Sequence, residues 1–237
     1  LPFRVMAVYY CWKSITEKNI FNSILFGFFS AVGFLTHYSF IFLLLSLTVY
    51  YMYLLITKKK RLTFNFFIPI FVFLIVLTPH LYWLVENNFT TIIYAFDRTG
   101  IEEKNLINHF VNPFIFTAKQ FGILIPLLII FLLIFEKNRK KIKINIKDKN
   151  FLFLTCINIL PILMVFIIPI FTGAKIRTMW MSTFYLLLGT YLFYLFENKI
   201  NLKKIKKFYY SIIFLFILSP SIYLYVSLSN DFKRTDY

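Results

Sequence analysis

The chain has 237 residues, 59% hydrophobic and 15% charged, with a mean hydropathy of +0.73. Soluble domains are roughly half apolar and a quarter charged, so this composition excludes a soluble globular protein and defines an integral membrane chain. The net charge of +16 does not point to nucleic acid, because Lys and Arg sit in short segments between apolar runs rather than on one face of a compact domain.

The apolar runs lack the strict alternation of a porin strand, which leaves an all-α, polytopic transmembrane helix bundle. In chain order, residues 1–12 read as the cytoplasmic half of a membrane helix whose beginning is absent, as in a fragment or a processed chain. No signal-peptide order of basic, apolar and small residues opens the sequence. Seven runs approach the length of a membrane crossing: 22–36, 39–57, 64–84, 113–135, 151–171, 179–196 and 208–228. The first two form one continuous run too long for a single crossing, so Thr36-His37-Tyr38 predicts a break near a membrane surface. Residues 1–237 read as one transmembrane domain. Cys11 and Cys156 lie far apart, near or within spans, and support neither a disulfide framework nor a metal motif.

Orientation follows from the accumulation of Lys and Arg in short cytoplasmic loops. Lys58, Lys59, Lys60 and Arg61 form one cluster; Lys137, Arg139, Lys140, Lys141, Lys143, Lys147 and Lys149 a second; Lys199, Lys203, Lys204, Lys206 and Lys207 a third. Lys13 and Lys18 fall on the same side, facing the anionic headgroups of membrane lipids. The extracytoplasmic side then carries Thr36 to Tyr38, a loop over about 85–112, the turn 172–178 and the C-terminal tail. The loop has a net charge of −2, from Glu86, Asp97, Glu102 and Glu103 against Arg98 and Lys104. All three histidines, His37, His80 and His109, map to this side. No close ligand pair supports a zinc site among them.

Three segments on that side carry candidate chemistry. The span ending in Pro79-His80-Leu81-Tyr82-Trp83 places a proline and an aromatic pair at headgroup level, with Glu86 and Asn87 just beyond. It reads as an ordinary interfacial belt or as the rim of an amphiphile site. The semi-apolar Thr90 to Phe96 could form a short interfacial helix ahead of Asp97-Arg98, where Arg98 is either a loop salt bridge or a planar fork for phosphate. Glu86 and Asp97 are candidate general bases, with no spacing to choose between them. In the turn Gly173 to Trp180, Lys175 and Arg177 break the orientation rule locally. They either snorkel to ordinary headgroups or clamp a lipid phosphate, and His37 could touch the same group.

Gly27-Phe28-Phe29-Ser30-Ala31-Val32-Gly33-Phe34-Leu35-Thr36-His37-Tyr38-Ser39 resembles the Gly-x-x-x-Gly-Leu-x-x-x-Lys-Tyr-Thr/Ser segment of bacterial membrane glycosyltransferases of the protein-mannosyltransferase-like group (family 39, GT-C). Pro79 to Asn87 is similar to that family's Pro-x-x-x-Trp-x-x-x-Asn span end, followed by a Tyr94/Arg98 stretch. The Gly173 to Trp180 turn looks like its Lys-x-x-x-Trp-like turn. The resemblance implies an inner-membrane enzyme that takes a sugar from a polyprenyl-phosphate sugar and transfers it to a lipid, glycan or protein acceptor outside. It implies phosphate contacts by Arg98, Lys175, Arg177 and His37, and a lipid or sugar groove near His80, Tyr82, Trp83, Asn87 and Trp180. No cofactor or metal is indicated. The family's acidic catalytic residue lies in a first extracytoplasmic loop that this sequence does not contain, so these residues alone are expected to be inactive. His37 stands where the family has Lys, which makes a phosphate contact there depend on protonation. Alternatives are a lipid-linked glycan flippase, an O-antigen polymerase or ligase, and a structural membrane subunit. The nearly all-apolar mid-spans read against transport.

Overall fold

The computed structural model describes residues 1–17, 19–57, 64–98, 106–135 and 144–228. The first basic cluster, residues 58–61, lies outside them, as do Lys137, Arg139, Lys140, Lys141 and Lys143 of the second, and Lys18, Glu102, Glu103 and Lys104. The chain is all-α. Its helices are α1 (Pro2–Glu17), α2 (Ile20–Thr36), α3 (Ile41–Thr57), α4 (Phe67–Glu86), α5 (Thr90–Asp97), α6 (Asn108–Leu133), α7 (Lys149–Thr172), α8 (Leu188–Phe196) and α9 (Ile205–Leu228). Among the described residues, five segments are long and apolar enough to cross a membrane: Tyr38–Thr57, Phe64–Glu86, Asn108–Leu133, Lys149–Thr172 and Ile205–Leu228. The protein is therefore a multi-pass membrane protein.

Contacts divide the chain into two units: Leu1–Phe121 with Ile144–Tyr194, and Gly122–Lys143 with Leu195–Tyr237. In the first unit α1 packs along α2, α2 along α4, and α3 along α7. The α1–α2 pair is antiparallel over its whole length. Arg4 and His37 line one cavity at one end, Phe29 stacks on Phe3 and Tyr10 midway, and Asn22 donates to Glu17 at the other end. Helix α1 thus runs on to Glu17, past the stretch 1–12 expected to be helical. The core of this unit joins Ala7, Val8 and Cys11 of α1, Leu43, Leu47, Tyr50 and Leu54 of α3, and Phe153 and Ile157 of α7.

Local chemistry sets the helix ends. Asn19 caps α2 by accepting from the Phe21 amide at 2.9 Å, and Asp148 caps α7 by accepting from the Asn150 amide at 3.1 Å. The long run breaks where expected: His37 is extended, and its Nδ1 accepts from the Ser39 amide at 3.2 Å, starting a short 3-10 turn over Tyr38–Phe40. Helix α4 continues to Glu86 through Pro79, because Leu, Ile and Phe packing outweighs one missing hydrogen bond. With α5 over Thr90–Asp97 and α6 starting at Asn108, the described residues of the 85–112 loop are largely helical. The expected span 179–196 is not one α-helix: Thr178–Tyr185 is 3-10, followed by α8.

The spans are less uniformly apolar than their sequences suggest, since Asn22, Ser23, Ser30, Ser46, Gln120 and Asn158 are buried within them. Three of them donate to a neighbour: Asn22 to Glu17, Ser46 to the Phe42 carbonyl and Asn158 to the Leu154 carbonyl. Gln120 instead accepts, its Oε1 taking the Tyr185 hydroxyl at 2.7 Å.

In the second unit, Phe131, Phe135 and Phe196 form an aromatic cluster with centroids 5.0 to 5.6 Å apart. Phe135 and Ile200 form an antiparallel bridge, the Asn201 amide donates to the Ile134 carbonyl, and Lys204 Nζ donates to the Phe135 carbonyl at 2.9 Å. One basic residue of the third cluster is thereby spent on a helix end. Helix α9 buries none of its residues in the chain.

Candidate functional site

The Arg4–His37 end of the first unit gathers polar side chains from six elements. At its centre is the junction of α2 and Tyr38–Phe40, and the two residues there face different partners. On one flank, the Tyr38 hydroxyl lies 2.8 Å from His80 Nε2 in α4 and 2.9 Å from Thr91 Oγ1 in α5. One hydroxyl can donate to one of these and accept from the other. The His80 ring stacks on Trp83 at 5.8 Å between centroids, 13° from parallel. Phe34 packs on Tyr38 from below, at 5.4 Å.

On the other flank is a small cavity of about 30 Å³ lined by Arg4, Thr36, His37, Ser39, Phe40 and Thr183, among others. Arg4 is only 6% exposed. Its guanidinium lies over the Phe184 ring at 4.2 Å and near the Phe40 ring at 5.8 Å, contacts that offset part of the cost of removing the charge from water. Nη2 is buried and has no hydrogen-bond partner among the described residues. A buried, charged donor left open costs more than almost any other unpaired group. His37 Nδ1 accepts from the Ser39 amide at 3.2 Å and lies 2.7 Å from the Ser39 hydroxyl, which makes the ring the neutral tautomer with its proton on Nε2. Partial burial, and secondarily the Arg4 charge, hold its pKa below the ordinary value of 6.5.

The Gly173 to Trp180 turn reaches this cavity indirectly. Gly173 sits at φ +68° as the left-handed cap of α7, and a Cβ there would meet the His109 ring at 3.2 Å. His109 Nδ1 donates to the Ile170 carbonyl at 2.9 Å, and Asn112 donates to the Gly173 carbonyl at 2.7 Å. The beginning of α6 is thus tied to the end of α7, which makes His109 a structural tie. The turn then leads into Thr178–Tyr185, where Met181 and Phe184 pack with Phe116 and Val165. That packing delivers Thr183 and Phe184 to Arg4. Lys175 is exposed, while Arg177 and Trp180 are half-buried. Neither cation makes an ion pair among the described residues.

The remaining expected site residues are placed as follows. Arg98 does not bridge to Asp97: its Nε donates to the Tyr94 hydroxyl at 2.7 Å, and its guanidinium lies over that ring at 4.9 Å. The i, i+4 spacing on α5 puts the two on one face, which favours this over a bridge to the adjacent carboxylate. Asp97 is exposed at the end of α5. Glu86 lies beside the exposed Tyr82 hydroxyl, one turn before it. Asn87 donates to the Trp83 carbonyl at 2.8 Å and so caps α4. Asn88 and Phe89 follow with φ of +50° and +55°, turning the chain sharply into α5. Among the described residues no three His, Cys, Asp or Glu side chains come together as a metal-binding group.

The structure thus brings together His37, His80 and Trp83, and adds Arg4, Tyr38 and Thr91. Arg4 carries its own sequence signal, a cation within an apolar helix, which is costly enough to warrant a functional reading. Tyr38 and Thr91 become visible only when α4 and α5 fold back on the α2 end. Comparison with protein-family models, curated proteins and solved structures returns no match.

Proposed function

We propose that this chain works as a membrane glycosyltransferase, taking a sugar from a polyprenyl-phosphate sugar on the extracytoplasmic face of a bacterial inner membrane and passing it to a lipid, glycan or protein acceptor. The observation that carries the reading is Arg4. A nearly buried guanidinium with one open donor, facing a cavity shared with His37 at a helix end, suits an oxyanion arriving at the membrane surface. In this reading the donor's phosphate meets Arg4, with His37 beside it. Tyr38, His80 and Thr91 hold sugar or acceptor hydroxyls, and Trp83 with Tyr82 forms the rim. Transfer breaks the bond between the anomeric carbon and the phosphate oxygen while an acceptor oxygen bonds to that carbon. Arg4 offsets the charge gathering on the departing phosphate. Arg98, Lys175 and Arg177 supply a more exposed basic approach. Asp97, exposed at the end of α5 and without a partner among the described residues, is one candidate base, and Glu86, beside the Tyr82 hydroxyl, is the other.

The test compares binding of a polyprenyl phosphate and the matching polyprenol to the full-length protein in nanodiscs, by native mass spectrometry. A charge-assisted hydrogen bond contributes about 1.5–3 kcal/mol, so Arg4→Gln should weaken phosphate binding roughly tenfold to a hundredfold and leave the alcohol unchanged. Equal binding of phosphate and alcohol by the native chain would sink the reading. The buried Asn158 and Gln120 favour one second reading, transport of the intact lipid-linked sugar. Proteoliposomes separate the two, since a transporter moves the donor across unaltered while a transferase consumes it.

A further inference from the structure

Helix α5 leaves the end of α4 through a costly turn. Asn88 and Phe89, at φ +50° and +55°, hold left-handed backbone, which a side chain as large as Phe rarely adopts. The Phe89 amide donates to the Leu84 carbonyl at 2.8 Å, which closes the turn on the last turn of α4 and sends α5 off in a new direction. Strain of this kind persists only where the surroundings hold it in place. Thr91, bonded to Tyr38 at 2.9 Å, holds α5 on one side. Beyond that, none of the residues of α5 is buried.

The remaining residues sort into two edges. Ile92, Ile93 and Phe96, at spacings of three and four, share one, and Ile93 and Phe96 are 53% and 58% exposed. Thr90, Tyr94, Asp97 and Arg98 share the other, all exposed, with Arg98 bonded to Tyr94. One edge is thus apolar and the other polar. What covers the apolar edge follows from where the helix begins. The span Phe64–Glu86 ends just before Thr90, and Tyr82, Trp83, Val85 and Phe89 are exposed around the junction, a belt of the kind that sits at headgroup level. A helix with one apolar and one polar edge that starts at that depth lies flat, its apolar edge between headgroups and acyl chains.

We infer that α5 is an in-plane membrane anchor. Ile92, Ile93 and Phe96 insert among the phospholipids of the adjoining leaflet, Tyr94 and Arg98 stay in the wet headgroup layer, and the bilayer thereby holds the helix where Thr91 reaches Tyr38. The anchor stands whatever reaction the chain performs. Nitroxide labels test it on the full-length protein in phospholipid nanodiscs, in a chain whose Cys11 and Cys156 have been replaced by Ser and whose folding has been verified. Ile93→Cys and Phe96→Cys place the label on the apolar edge; Tyr94→Cys and Arg98→Cys place it on the polar edge and control for the label's own affinity for lipid. Power-saturation EPR compares collisions with oxygen, which concentrates among acyl chains, and with a water-soluble nickel chelate. The oxygen-to-nickel ratio should be at least about threefold higher at 93 and 96 than at 94 and 98, as for an edge immersed below the headgroups. Equal ratios at all four positions overturn the proposal. So does shielding of 93 and 96 from both collision partners, because protein rather than lipid would then cover that edge.

Discussion

Residue by residue, the two cations at the α2 end respond differently to pH, and the difference is testable. Arg4 stays charged throughout the useful range. His37 is neutral near pH 7, because partial burial and the neighbouring Arg4 depress its pKa below 6.5. A base whose folded pKa is lowered takes up its proton first in the unfolded chain. Stability should therefore fall as pH drops below about 6.5 and level off below the folded value. Binding should run the other way. A polyprenyl-phosphate sugar is a diester with a constant single negative charge, so protonated His37 adds a second cation and acidification should tighten binding. Thermal unfolding and donor binding measured from pH 7.5 down to about 5 should thus show opposite trends in the native chain, and His37→Gln should flatten both. Parallel trends would place the titrating group elsewhere. Neither the depressed pKa nor the Ser39 contacts behind the neutral ring can be read from the motif, which shows only that His stands where the resembling family has Lys.

Among the elements, close approach of α2 to α4 sets the frame on which Tyr38 meets His80. A Cβ on Gly27 would lie 2.5 Å from the Pro69 carbonyl oxygen and 2.9 Å from its Cα, a backbone that cannot step aside. Gly27→Ala should force the two helices apart, at a cost of about 1–3 kcal/mol, and loosen the Tyr38–His80 contact. In α6, Gly122 has nothing within 4 Å of an added Cβ, so Gly122→Ala should be neutral or stabilise by up to about 1 kcal/mol. Thermal unfolding in a fixed detergent checks both, and equal effects would remove the close-packing argument. The helices themselves were largely legible, because an apolar run with one polar break at Thr36-His37-Tyr38 leaves few alternatives in a bilayer. The 3-10 geometry of Thr178–Tyr185 was not. Its residues are as apolar as those of a regular span, and its form follows from docking Met181 and Phe184 between Phe116, Val165 and Arg4, contacts far apart in sequence. Short range likewise hid the Arg98–Tyr94 bond, since an adjacent Asp97 reads as the obvious partner until α5 puts Tyr94 on the same face.

At the scale of the whole molecule, sidedness is the claim on which the proposed chemistry depends. Within the first unit, α3 runs from Tyr38 towards Tyr50, whose hydroxyl donates to the Lys149 carbonyl at the start of α7, and α7 returns to Gly173 beside His109 and Asn112. The Arg4, His80 and Gly173 ends therefore share one face and Lys149 lies on the other. Basic residues accumulate on the cytoplasmic side, and on that rule we propose that Lys147 and Lys149 lie inside and the Arg4 cavity outside, where a lipid-linked sugar would be met. Cysteine substitutions decide it in a chain whose Cys11 and Cys156 have been replaced by Ser and whose folding has been verified. Asn88→Cys, in the left-handed turn between α4 and α5, should react with a membrane-impermeant maleimide in intact cells. Lys147→Cys should react only after permeabilisation. The reverse pattern would put the cavity on the cytoplasmic face, where Arg4 would meet phosphates of a different origin, and the glycosyl-transfer reading would fall even though every helix and every contact around the site stayed as described.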